Sequence, residues 1–322
     1  MEKIDSATDP SIASTPDLVR RALELLEFPQ LLERLARHTQ TPMGRQLALS
    51  LAPAYSYGEA LRRQQETTEA AQLLAQGRDL EMAPARDIQP LVERASLGGM
   101  LQGTELREVY ETIRTARGLR AALAPQKELP LLSDMARQIP DLRPLEARIA
   151  ESIGKTGEVL DRASPRLGEL RAQARAAHGH LTAFLERAVR RLQTQGVLQE
   201  PIITQRHGRM VLMVKAEMRR QVQGIVHDVS DSGATLFIEP LAAVSLGNQH
   251  RELQLAVERE EQKVLQAISD AVGARKDDLL LALDLLARID LALAKARFSR
   301  AISGVPVTLA QTDRPYLRLA EA

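Results

Sequence analysis

The chain has 322 residues, more than one small core needs and enough for two or three subdomains. Hydrophobic residues make up 44% of it and aromatics 2%, with no Trp, so the interior must be built from Leu, Ala, Val and Ile, which favours helix-on-helix packing over an aromatic-filled β-sandwich. Cys is absent, which excludes disulfides, thiol nucleophiles and thiolate metal sites. No apolar run reaches the roughly 18 residues of a membrane span, and the polar N-terminus lacks the basic-then-apolar order of a signal peptide. The expectation is a soluble cytoplasmic protein with no membrane partner and a flexible segment over residues 1–16. The net charge is +1, but between Asp161 and Arg220 twelve Lys or Arg stand against five Asp or Glu. A basic segment in an otherwise acidic chain is a candidate polyanion contact, or simply a solvated helix face.

Leu18–His38 predicts a helix carrying Leu23, Leu26, Leu31, Leu32 and Leu35. Thr41-Pro42 opens the next, with Thr41 as N-cap and Pro42 at the first helical position, where its missing N–H costs nothing. A long helix follows from Tyr57 to Gln76, then an irregular stretch from Asp79 to Pro90, a short helix at Leu91–Ala95 and a turn over 97–101. Gly103-Thr104-Glu105 opens a helix through Leu123, prolines punctuate short helices at Leu132–Ile139 and Pro144–Ser152, and 153–160 reads as a small hairpin or extended turn. Leu167, Leu170, Ala174, Ala177, Leu181, Phe184, Ala188 and Leu192 then recur at spacings of three and four. That puts one apolar seam along a helix of about 30 residues, about 45 Å long. Leu246, Leu253, Val257, Val264 and Ile268 repeat the seam more sparsely. Between the two, Pro201–Ile203, Met210–Val214, Gly224–Val229 and Ala234–Glu239 read as strands. Two long antiparallel helices with a β tip make an arm, suited to reaching around a partner rather than enclosing a small substrate. Leu279–Ala301 is a strongly apolar helix expected in the same core as the N-terminal helices. Residues 304–307 and 316–319 read as the entry to a further domain.

Few motifs suggest chemistry. Gly154-Lys155-Thr156 has the end of a phosphate-binding loop, but Ile149 stands where its first Gly belongs and a helix, not a strand, precedes it. His178 and His180 lie roughly 200° apart on a helix and cannot share one metal ion. Glu260-Glu261 and Asp277-Asp278 read as solvating charge. No catalytic triad, metal cluster or dinucleotide fingerprint is visible, so no catalytic, cofactor-binding or metal residue is expected here. The cations near the β tip, Arg206, Arg209, Lys215, Arg219 and Arg220, are the candidate nucleic-acid contacts. They would neutralise phosphates without reading bases. With four Phe and four Tyr in the whole chain, base stacking is not the expected mode.

The most distinctive pattern runs from Asp228 to Pro240, a strand, a Gly-containing turn, a strand and a helix-opening Pro. Together with Ile202-Ile203-Thr204-Gln205-Arg206-His207-Gly208-Arg209 and Val211–Lys215, it resembles the clamp segment of the MutS-II family, the second bacterial MutS paralogue. Leu25-Leu26-Glu27-Phe28 and Thr41-Pro42-Met43-Gly44-Arg45 resemble that family's N-terminal signature. Ala163-Ser164-Pro165-Arg166-Leu167 resembles the entry to its lever helix, and Glu252-Leu253 through Glu258-Arg259-Glu260-Glu261 the returning lever. The resemblance covers about residues 18–320. It implies a mainly α fold with a small β insertion: a helical core, a long antiparallel coiled-coil lever and a β-rich clamp at its tip.

It also implies boundaries. These are a flexible N-terminus over 1–16, core over 17–160, a first lever helix over 161–198, the clamp over 199–240, a second lever helix over 241–274, more core over 275–303 and the entry to an ATPase domain over 304–322. The ATPase and small MutS-related nuclease domains are expected outside this chain, so ATP, Mg and endonuclease activity would belong to the full-length protein. Implied partners are DNA, branched or duplex, in recombination suppression, or rRNA on stalled ribosomes, held by a homodimer formed through the ATPase domains. The competing reading is a structural coiled-coil arm that mediates protein assembly.

Overall fold

The computed structural model describes residues 15–310. The flexible segment expected over 1–16 falls almost entirely outside them, as does the stretch over 316–319. The protein is mainly helical, with one small antiparallel sheet. It divides into two compact units: one formed by the residues up to Gly98, Glu105–Ala147 and those from Ala271 on, the other by Gly99–Thr104 and Arg148–Asp270.

In the first unit the helices are α1 (Thr15–Leu25), α2 (Phe28–Ala36), α3 (Pro42–Leu49), α4 (Tyr57–Ala75), α5 (Gln89–Ser96), α6 (Gly103–Leu123, whose first two residues belong to the other unit), α7 (Pro130–Gln138) and α11 (Lys276–Ala301). The single helix expected over Leu18–His38 is broken in two. Glu27 takes a left-handed conformation, φ 53°, and Pro29 follows in the first turn of α2, where it has no N–H to continue α1. α11 is buried almost all round, and α2, α3, α4, α5 and α7 pack on it, as its continuous Leu/Ala sequence requires.

Two buried carboxylates join these helices. Asp290 of α11 is fully buried and accepts hydrogen bonds from Thr41 N (2.8 Å), Thr41 Oγ1 (2.8 Å) and Gln40 N (3.0 Å). Thr41 Oγ1 in turn caps α3 by accepting from Gly44 N at 2.9 Å. Glu69 of α4 accepts from Leu131 N and Leu132 N (3.0 and 2.9 Å), capping α7 from outside its own sequence.

The second unit holds α8 (Arg143–Ser152), which begins in the first, α9 (Pro165–Thr194), α10 (Leu241–Gly273), which ends in the first, and strands β1 (Leu198–Arg206), β2 (Arg209–Lys215), β3 (Gly224–Val229) and β4 (Thr235–Pro240). The sheet order is β1-β2-β4-β3, antiparallel throughout. The seam expected on α9 is largely buried. Leu185 and Val189 join it, because the C-terminal half of α9 also covers the sheet. α9 and α10 meet through Ser164–Glu260 (2.8 Å), Arg171–Glu261 (2.6 Å) and the His178–His250 ring pair, 5.1 Å between centroids. Contacts later in α9 fall earlier in α10, so the helices run antiparallel. Glu260-Glu261 is therefore not the free solvating pair expected from sequence, because each acid finds a partner on α9. The Gly154–Thr156 segment is a turn closed by an Ile153–Val159 bridge, with Gly157 at φ 91°.

Candidate nucleic-acid interface

The small sheet is seated on α9 by an apolar cluster of Leu181, Leu185, Val189 and Leu192 from the helix with Leu198, Leu212, Val214 and Ile238 from the sheet. Its alternating pattern turns these residues toward the helix. β1 and β2 are joined by His207-Gly208, both at positive φ (50° and 77°), the conformation of a tight two-residue hairpin turn. That turn places Arg206 and Arg209 directly opposite one another.

Two like charges at facing positions repel, and each is neutralised separately. Arg206 lies over the ring of Phe237, 4.0 Å from its centroid, with its Nε 3.3 Å from Asp228. Arg209 donates to Asn248 Oδ1 of α10 at 2.7 Å and stands 3.6 Å from the buried carboxylate of Glu239. The other oxygen of Glu239 meets His227 Nε2 at 2.7 Å. Gly247 of α10 leaves the room: a Cβ there would stand 2.8 Å from Glu239 Oε1.

The remaining candidates differ in kind. Arg219 donates to the carbonyls of Val222 (2.8 Å) and Gly224 (3.0 Å), so it ties the 3-10 turn over Ala216–Gln221 to β3. Lys215 closes β2 opposite Thr235, half-buried, and Arg220 is exposed. Neither has a side-chain partner among the described residues. The structure thus brings all five cations to one module but leaves two of them uncommitted. The composition of Asp161–Arg220 also contains Arg187, Arg190 and Arg191, exposed near the end of α9, which sequence reasoning counted without singling out. Phe237, Glu239, His227, Asn248 and Gly247 were missed as a network. Only the tertiary fold joins β2, β3, β4 and α10.

No cluster of three or more metal-ligating side chains occurs among the described residues, and no helix there is long and apolar enough to cross a membrane. The second unit thus seats a small, cation-bearing sheet, inserted in the chain between α9 and α10, on the C-terminal half of α9.

No protein-family model matches the chain. Curated relatives do. It is 40% identical over 279 residues to the endonuclease MutS2 of Symbiobacterium thermophilum, covering 87% of this chain and 35% of the relative. It is 36% identical over 308 residues to that of Halalkalibacterium halodurans (94% and 39%), and 37% identical over 284 residues to that of Pelotomaculum thermopropionicum (88% and 36%). The chain spans little more than a third of the length of these relatives. Over most of its own length it is homologous to the N-terminal part of the MutS-II family.

Proposed function

We propose that the protein is the nucleic-acid-clamping part of a MutS2-type machine. α9 and α10 act as the lever and the sheet over Leu198–Pro240 as the clamp, moved by an ATPase domain of the longer protein and working as a pair in a homodimer. The observation that carries this is the similarity to MutS2 proteins, which extends over most of the chain and so includes the cation-bearing module. ATP, Mg and the endonuclease activity in the relatives' name are assigned to the part of their length that the chain does not cover. The ligand is a polynucleotide read by its backbone: branched or duplex DNA in recombination suppression, or rRNA on stalled ribosomes.

Within the module, Lys215 and Arg220 are the primary phosphate contacts, because their charges are not consumed internally. Arg206, Arg209 and Arg219 shape the tip and add field. The experiment is a salt titration of binding to a labelled four-way DNA junction and to an rRNA fragment, in a dimeric full-length protein. Changing Lys215 and Arg220 together to Ala should lower affinity about equally for all sequences and reduce the duplex salt slope by about two units. An unchanged affinity and slope would remove the module as the contact and leave its charge as a solvated face of an assembly arm.

A further inference from the structure

The first unit contains a cleft that plays no part in the reading above. It has a volume of about 640 Å³ and lies between one face of α6 and the segment joining α7 to α8. Ile113, Ala116, Arg117, Arg120, Ala121 and Ala124 recur at helical spacing along its floor, and Pro140–Arg143 form the facing wall. Three guanidinium groups line it, each held by an internal partner, and one of those partners, the Asp141 carboxylate, lines the cleft as well. Arg117 is gripped by Glu146 through Nε (2.8 Å) and Nη2 (3.1 Å). Arg143 is gripped by Asp141 through Nε (2.9 Å) and Nη2 (2.6 Å). Arg120 donates Nη1 to the Ile139 carbonyl at 2.7 Å. The wall itself is fixed by Arg275, which donates to the Asp141 carbonyl at 3.1 Å.

The charges do not cancel. Arg117 and Arg143 have carboxylate partners, while Arg120 has none within ion-pair distance among the described residues and spends one N–H on a neutral carbonyl. Its Nε and Nη2 form an unused fork, the edge that matches two oxygens of one anion. Because the three side chains are already ordered by their internal partners, an anion placed there would not have to immobilise them. The small side chains of Ala116, Ala121 and Ala124, with Ile113, Leu142 and the two prolines, leave an apolar floor of a size that takes a drug-sized body.

We propose that this cleft binds a small organic oxyanion, with its carboxylate or phosphoryl group on the free edge of Arg120 and its apolar body on the alanine-proline floor. The site is independent of the β module and of any polynucleotide.

The test is calorimetric titration of the full chain with phenyl phosphate, benzoate, inorganic phosphate and benzyl alcohol. One or both aryl anions should bind one-to-one, at least about tenfold tighter than inorganic phosphate or benzyl alcohol, since either half alone forfeits one set of contacts. The better of the two identifies the head group. Arg120→Ala should weaken binding about tenfold or more, and Arg120→Lys less, because the ammonium keeps the charge but not the fork. Ala121 is exposed at the cleft. Ala121→Leu should therefore fold and block the floor, whereas Arg114→Ala, on the same helix outside the cleft, should change nothing. Absence of saturable binding by both aryl anions up to about 10 mM would overturn the proposal. So would equal affinity in wild type, Arg120→Ala and Ala121→Leu.

Discussion

Replacing Asp290 by Ala should cost the helical unit a large share of its stability, and the structure says why. Its carboxylate is fully buried and is the acceptor for Thr41 N, Thr41 Oγ1 and Gln40 N. Losing it leaves three donors without an acceptor in a closed site. At about 1–3 kcal/mol for each unsatisfied buried group the sum is about 3–9 kcal/mol, against a typical domain stability of about 5–15 kcal/mol. Arg297, 3.8 Å away, keeps its bonds to Asp79 and to the His38 carbonyl, so it adds little to the loss. Gly44 gives an independent check. A Cβ on it would stand 2.8 Å from Asp290 Cγ and nearer still to Oδ2, and the carboxylate cannot retreat without releasing its donors. Gly44→Ala should therefore cost about 2–3 kcal/mol alone. With Ala at position 290 the two carboxylate contacts are gone and only its Cβ, 2.9 Å from the new methyl group, remains, so the same change should cost clearly less, about 1 kcal/mol. Urea unfolding of the four proteins, followed by circular dichroism at constant m-value, measures the cycle. Equal cost of Gly44→Ala in both backgrounds, or a loss below about 1 kcal/mol for Asp290→Ala, would mean that the carboxylate neither anchors these donors nor limits position 44.

Three other outcomes follow from the geometry. Glu69→Ala should destabilise by about 2 kcal/mol, as the N-terminal N–H groups of α7 lose both acceptors, and hydrogen exchange should quicken at Leu131 and Leu132 before anywhere else. Gly247→Ala should lower the melting temperature by an amount worth about 1–3 kcal/mol, because its methyl group meets the buried carboxylate of Glu239, and a combined Glu239→Ala change should relieve the clash. Burial, then His178 and Arg251, hold His250 below the ordinary imidazole pKa. The unfolded chain thus binds the proton more readily. This contribution to stability is complete above the unfolded value of about 6.5 and is lost as pH falls through the lower folded value. His250→Gln should flatten the acid side of a melting-temperature profile between those values, and an unchanged profile would count against the assignment.

Much of this architecture is legible in the sequence because its signals are local. The helical period of Leu167 to Leu192, the Thr41-Pro42 start of α3 and the positions of four short strands depend on neighbours within a few residues. The break at Glu27 was also written locally, in Pro29, but the leucine spacing across it read as one helix. Resemblance identified Thr41–Arg45 as a signature without explaining it. The explanation lies 249 residues away, where Asp290 accepts from Thr41 and fills the space that Gly44 leaves.

The charges divide in the same way. Sequence located Arg206, Arg209, Lys215, Arg219 and Arg220 in one basic stretch. Which of them hold the fold together, and which stand free, depends on where β3, β4 and α10 bring Asp228, Phe237, Glu239 and Asn248. Likewise, Glu260 and Glu261 looked solvent-facing until α9 lay beside them. Periodicity and capping act over one or two helical turns, so the chain alone determines its elements. Partners of a buried charge are chosen by long-range packing, so the tertiary fold alone settles which cation is tied into the scaffold and which keeps no internal partner.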